Sequence, residues 1–220
     1  MNANDAVGTR LGQIIDEAVR LARAAWQTGV LYVAVLSGVG VLIDQLDEVG
    51  NANLLFSVFS VALGFLLTVQ LLLKGGLVRG AMSNGIGSYF GLSILSALGI
   101  IIGFLLLIVP GIVLFVRWLP AYGYVLGEGE GVTDGLGKAW AQTGPHFWPI
   151  ALALLVPVGI NIAALTGFVL GSDEAGMVSL PLSLLANTAI SVAGLAITAI
   201  GIASYALLRD TSAQIAEVFA

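Results

Sequence analysis

Six apolar runs alternate with short polar connectors along this chain, at approximately 26–43, 53–73, 92–109, 111–126, 147–170 and 179–208. Most have the ~20 residues that cross ~30 Å of hydrocarbon at ~1.5 Å per helical residue. A different period precedes them. Leu11, Ile14, Ile15, Ala18, Val19, Ala22, Ala25 and Trp26 recur at helical spacing, while Arg10, Gln13, Asp16, Glu17, Arg20 and Arg23 take the other face. This predicts an amphipathic helix lying along the headgroups. The pattern divides the chain into an interfacial helix (1–25), a membrane domain (26–208) and a polar tail (209–220).

Composition fits that division: 58% of the 220 residues are hydrophobic, 10% are charged and the mean hydropathy is +1.02. A soluble domain carries about 25% charged residues. The first 20 residues lack a basic segment followed by an apolar one, so no cleaved signal peptide is expected. There is no cysteine, which excludes disulfides, thiolate metal sites and cysteine catalysis. A net charge of -5 with 8 scattered Lys and Arg argues against a nucleic-acid partner.

Topology turns on the stretch LLLIVPGIVLFVRW at 105–118. If Pro110-Gly111 is a turn, the segment crosses twice, and Arg10, Arg20, Arg23, Lys74, Arg79, Lys138 and Arg209 share one side. If it is a kink, Lys138 and Arg209 move to the other side. Cytoplasmic loops carry the Lys/Arg excess, so the expectation is an all-α integral membrane protein with six transmembrane helices and both termini cytoplasmic. The run 111–126 is short, about 24 Å, which places the turn below the outer surface. Pro110, Gly111, Pro120 and Pro157 are the predicted hinges.

Arg117 is the one charge expected inside a span, where arginine costs ~2.5–3.5 kcal/mol at a helix centre. No carboxylate lies within the predicted spans. Its candidate partners are the carbonyls of Val116 and Ala153, freed by Pro120 and Pro157, or a lipid phosphate; snorkelling to an interface is the other reading. Between the fourth and fifth spans, Thr133 is a plausible N-cap and Leu136, Ala139, Trp140 and Thr143 line one side of a short surface helix. Trp140, Phe147 and Trp148 form an aromatic belt, with Lys138 facing the same headgroups. Arg117, Lys138 and Trp140 are therefore the candidate lipid- or ligand-binding residues.

Other chemistry is sparse. The run Ala81 to Gly85 lacks the first glycine of a nucleophile elbow. GEGEG at 127–131 would repel phosphate, and Asp44, Asp47 and Glu48 are better read as a solvated outer loop than as a cation site. No catalytic residue, metal site or cofactor is assigned. Gln70, Asn161, Asn187, Thr188 and Ser191 read as interhelical contacts, as do Gly99 and Gly103 in a GxxxG and the small residues of the last span.

Three stretches carry a resemblance: ARAAW at 22–26, LLLIVPGIVLFVRW at 105–118 and GLGKAWAQTGPHFWPI at 135–150. In this order they resemble the membrane domain associated with bacterial glycerophosphodiester phosphodiesterases and stand-alone YciC-type inner-membrane proteins, most closely over about 99–148. The resemblance implies a multi-pass protein of the bacterial cytoplasmic membrane tied to phospholipid or envelope physiology, and it lends no catalytic residue. The expected role is non-enzymatic, a lipid-associated or scaffold component whose partners are membrane phospholipids and either another membrane protein or a second copy of the chain. A facilitator or channel for a small or amphiphilic solute, with a polar path through Asn161 and Asn187, is the first alternative. A lipid-modifying enzyme is the second.

Overall fold

Helices from all but the third of those apolar runs pack on the last one, and the third packs chiefly on the fourth. The computed structural model describes residues 3–45, 52–78, 84–172 and 178–218. Asp47, Glu48, Arg79, Ser83, Asp173 and Glu174 lie outside them. The described helices are α1 (Ala3–Ala24), α2 (Trp26–Asp44), α3 (Ala52–Lys74), α4 (Ile86–Leu106), α5 (Ile108–Trp118), α6 (Ala121–Gly127), α7 (Val132–Thr143), α8 (Phe147–Leu170) and α9 (Leu180–Val218), with a 3-10 turn at Gly144–His146 before α8. Six segments are long and apolar enough to cross a membrane: α2, α3, α4, α5 with α6, the segment containing α8, and α9. The last helix continues past Arg209 to Val218, so the predicted tail extends the same helix.

The predicted turn at Pro110-Gly111 falls three residues early. α4 ends at Leu106, Leu107 is extended (φ -165°, ψ 148°), and Pro110 sits in the first turn of α5. Proline has no amide hydrogen and its ring crowds the carbonyl four residues back. The Leu106 carbonyl therefore has no i+4 donor, and the helix stops there. Inside the first turn of α5 the missing amide costs nothing, because those N–H groups lack an intrahelical acceptor anyway. Pro120 makes a second break, preceding α6 as its N-cap, whereas α8 runs through Pro157.

Glycines close the α4–α5 hairpin. A Cβ on Gly103 would lie 2.9 Å from the Gly111 backbone, and one on Gly99 would lie 2.3 Å from the Trp118 ring. The GxxxG is thus spent within one chain. A second pair of glycines stops α3: the amide of Leu77 donates to the Leu72 carbonyl and that of Gly76 to Leu73, with Gly76 at φ +66°. This is the Schellman arrangement that glycine at that position permits.

The amphipathic helix α1 packs into the bundle. Ile14, Ala18, Leu21 and Ala25 are buried against α8, α9 and α3, while Ile15, Val19 and Trp26 stay exposed. At this end Tyr205 of α9 meets Tyr124 of α6 edge-on at 5.0 Å. Room for that ring exists because residue 123 is glycine: a Cβ there would lie 2.1 Å from Tyr205 Cγ. Gly123→Ala is expected to destabilise the bundle by about 1–3 kcal/mol, as overpacking does. A thermal midpoint in detergent unchanged from wild type would refute this packing.

Candidate functional site

Arg117 occupies the last turn of α5, and the break at Pro120 lets the chain fold back as α6 and then α7. That return brings α7 alongside α5. The guanidinium lies over the Trp140 ring, 3.7 Å from its centroid, and its Nη2 donates to the Trp140 carbonyl at 2.6 Å. Nε reaches Thr143 Oγ1 at 3.5 Å. Thr143 is buried and bonds back to the Ala139 carbonyl at 2.7 Å, which fixes its hydroxyl. Gly144 leaves space for the guanidinium, since a Cβ there would lie 2.9 Å from Nη2. The partner of Arg117 is therefore the Trp140 carbonyl and ring, in place of the Val116 or Ala153 carbonyl expected from the prolines.

Among the described residues no carboxylate pairs with Arg117. Stacking on an aromatic ring contributes ~0.5–2 kcal/mol and leaves the net charge intact. Val116, next to Arg117 in the chain, joins Ile112, Phe147, Trp148, Ala151 and Leu155 in walling an apolar groove of about 570 Å³ between α5 and α8. Trp148 and Leu155 are 66% and 64% exposed, so the groove opens laterally from the bundle.

Lys138 does not join this site. It points the other way from α7, onto the loop that follows α6, where Glu130 accepts its hydrogen bond and Glu128 lies 3.6 Å away. The Glu130 carboxylate raises the Lys138 ammonium above its ordinary range. The loop is held from beneath by Asn84, whose Nδ2 donates to the Val125 and Glu130 carbonyls at 2.8 and 2.7 Å. The glutamates of GEGEG thus tie α7 to its own loop. Gly131, with no side-chain bond, caps α7 where Thr133 was expected to.

At the opposite end of the bundle a carboxylate does enter a span. Asp44 ends α2, and its Oδ2 accepts from Ser183 Oγ at 2.7 Å and Asn187 Nδ2 at 2.6 Å on α9. Asn187 Nδ2 also donates to the Ser183 carbonyl at 2.9 Å. Gly40 makes way for the amide, because a Cβ there would overlap Asn187 Oδ1 at 2.1 Å. Asn187 is consequently engaged in joining α2 to α9, and Asp44 turns into the bundle. Asn161 is half-buried on α8.

Asp44→Ala removes the acceptor that two α9 donors share, and hydrogen bonds to a charged group contribute about 1.5–3 kcal/mol. The expected result is a loss of that order in unfolding free energy. Asn187→Ala should add little on top of it. Full additivity of the two substitutions would show that they do not act together.

No family model, no curated protein and no solved structure matches the chain.

Proposed function

We propose that this protein is a non-enzymatic, lipid-associated component of a bacterial cytoplasmic membrane, and that Arg117 with Trp140 receives the phosphate of an anionic phospholipid whose acyl chain lies in the groove between α5 and α8. The observation that carries this reading is a guanidinium stacked on Trp140, with no carboxylate partner among the described residues, next in the chain to Val116, which walls a groove with almost no polar surface. A volume of about 570 Å³ is within the ~300–1,000 Å³ of ligand sites. Membrane lipid supplies both complements, a negative head and an apolar tail. The resemblance to the phosphodiesterase-associated membrane domain, carried by 105–118 and 135–150, agrees with a phospholipid setting.

On this reading the α1 and α7 end faces the cytoplasm. Trp26, Trp140 and Trp148 are exposed there at the level where indole rings prefer to sit. The α4–α5 tip is different: Leu105, Leu106, Leu107, Ile108 and Val109 are all 67–80% exposed and none is polar or aromatic. Such a tip lies in hydrocarbon, short of the outer surface. A facilitator for a small neutral solute is the second reading. It is favoured by an interior cavity of about 190 Å³ bearing the hydroxyls of Thr68, Tyr89, Tyr122 and Thr198, a different path from the one expected through Asn161 and Asn187. Solute flux in liposomes that falls in Tyr122→Phe would select it.

The lipid site is tested by native mass spectrometry after mild extraction. Wild type should retain an anionic phospholipid about tenfold enriched over its bulk share. Arg117→Gln and the groove-filling Ala151→Trp should each abolish the enrichment. Equal lipid profiles in all three forms would overturn the reading. Orientation is tested with single cysteines and a membrane-impermeant maleimide on intact cells. Ser172→Cys should label from outside, Gln142→Cys only after lysis, and Leu107→Cys from neither side. Labelling of Leu107→Cys from outside would place the hairpin tip in water.

A further inference from the structure

Arg10 of α1, His146 of the 3-10 turn and Ser204 of α9 line a small, largely apolar cavity together with Ile14, Ile150, Leu207 and Leu208. Ser204 is 1% exposed and its Oγ has no hydrogen-bond partner. Buried hydroxyls are almost always bonded, so this one points to a group that belongs there. The cavity measures about 10 Å³, the ~10–15 Å³ that one water-sized atom needs. Arg10 meets only a neutral acceptor, Gln13 Oε1 at 3.4 Å, and no carboxylate lines the cavity among the described residues.

A water molecule would satisfy Ser204 and leave the Arg10 charge as it is. A ligand that accepts from all three donors and carries negative charge satisfies both. We infer that Arg10, His146 and Ser204 form a site for a phosphate-class oxyanion, one oxygen entering the cavity and the rest lying under the guanidinium. Guanidinium and phosphate pair through charge-assisted, often bidentate bonds. The site is separate from that of Arg117, which lies against Gly144 at the other end of the same 3-10 turn. The oxyanion comes either from a soluble phosphate or from a lipid headgroup.

His146 is the chain's one histidine, so its imidazole is an unambiguous reporter. Burial first, and then the Arg10 charge, hold its pKa below the ordinary value. A bound anion favours the imidazolium and reverses that, so ligation raises the pKa and binding tightens as pH falls through the titration. The experiment follows the His146 resonances by NMR in phosphatidylcholine nanodiscs titrated with inorganic phosphate, with chloride at matched ionic strength as control. The same resonances are then followed in nanodiscs containing phosphatidylglycerol.

A saturable rise in pKa with phosphate alone assigns the site to soluble phosphate, and a rise only with phosphatidylglycerol assigns it to a headgroup. In either case Arg10→Gln should weaken the response about tenfold or more, Ser204→Ala should weaken it less, and Arg10→Lys should restore part of it. Arg10 lies on the partly exposed face of α1, so these variants test the ligand without emptying the core. No response to either probe, an equal response to chloride, or indifference to Arg10→Gln would overturn the assignment and leave a water site.

Discussion

A single absent hydrogen, the one proline lacks at Pro110, determines where this chain reverses. Because the Leu106 carbonyl has no donor four residues on, α4 stops, Leu107 straightens, and α5 returns along α4 with Gly103 against Gly111. Had α4 continued, Arg117 would lie some 16 Å farther along the same axis, eleven residues at ~1.5 Å each. The return carries it back towards the α1 and α7 end, where Trp140 waits. A backbone constraint in the apolar part of the fold thereby positions the most distinctive charge in the molecule.

Two other polar groups are likewise held within the protein. Water is scarce in hydrocarbon, so each polar group near it must find its partner within the protein. Asp44 is held by two α9 side chains at one end. At the other end Arg209 donates to the Leu77 carbonyl at 2.8 Å, on the connector that the two glycines after α3 turn into place. Between these ends α9 is in contact with α8, α2, α1, α3, α6 and α7. It is both the hub of the packing and the element from which the paired polar groups emerge.

Much of this is visible in the residues. Apolar run length locates the six long helices, and Gly-Pro punctuation separates the surface helix α7 from α8. The errors have physical causes. Pro110-Gly111 looks like a turn, but a proline acts on the carbonyl four residues before it, which puts the helix end at Leu106. Applied to Pro120, that rule makes the Val116 carbonyl a candidate for Arg117, yet local availability does not decide a partner. Trp140, more than twenty residues downstream, is brought in by the two bends after α5. Periodicity places Ile14 and Ala18 on the apolar face of α1 but leaves out Leu21, which is fully buried. The Ser204 cavity has no signal in sequence, because its three donors come from positions 10, 146 and 204.

Lys138 and Arg117 show why a cation's environment matters more than its presence. Lys138 is a compact, hydrated ammonium on a 45% exposed side chain beside two carboxylates, and an exposed pair of this kind contributes little to stability. Its field is also largely cancelled by those neighbours. Arg117 has no carboxylate partner among the described residues; an aromatic face and a carbonyl satisfy its planar guanidinium instead. Arg10 lines its cavity on the far side of Gly144–His146, with Gln13 Oε1 as its hydrogen-bond acceptor. In a chain with net charge -5, two guanidiniums on either side of one short turn thus have no carboxylate partner among the described residues. Net charge describes the whole chain, whereas attraction to an anionic headgroup is decided within about one Debye length, roughly 8 Å at physiological salt.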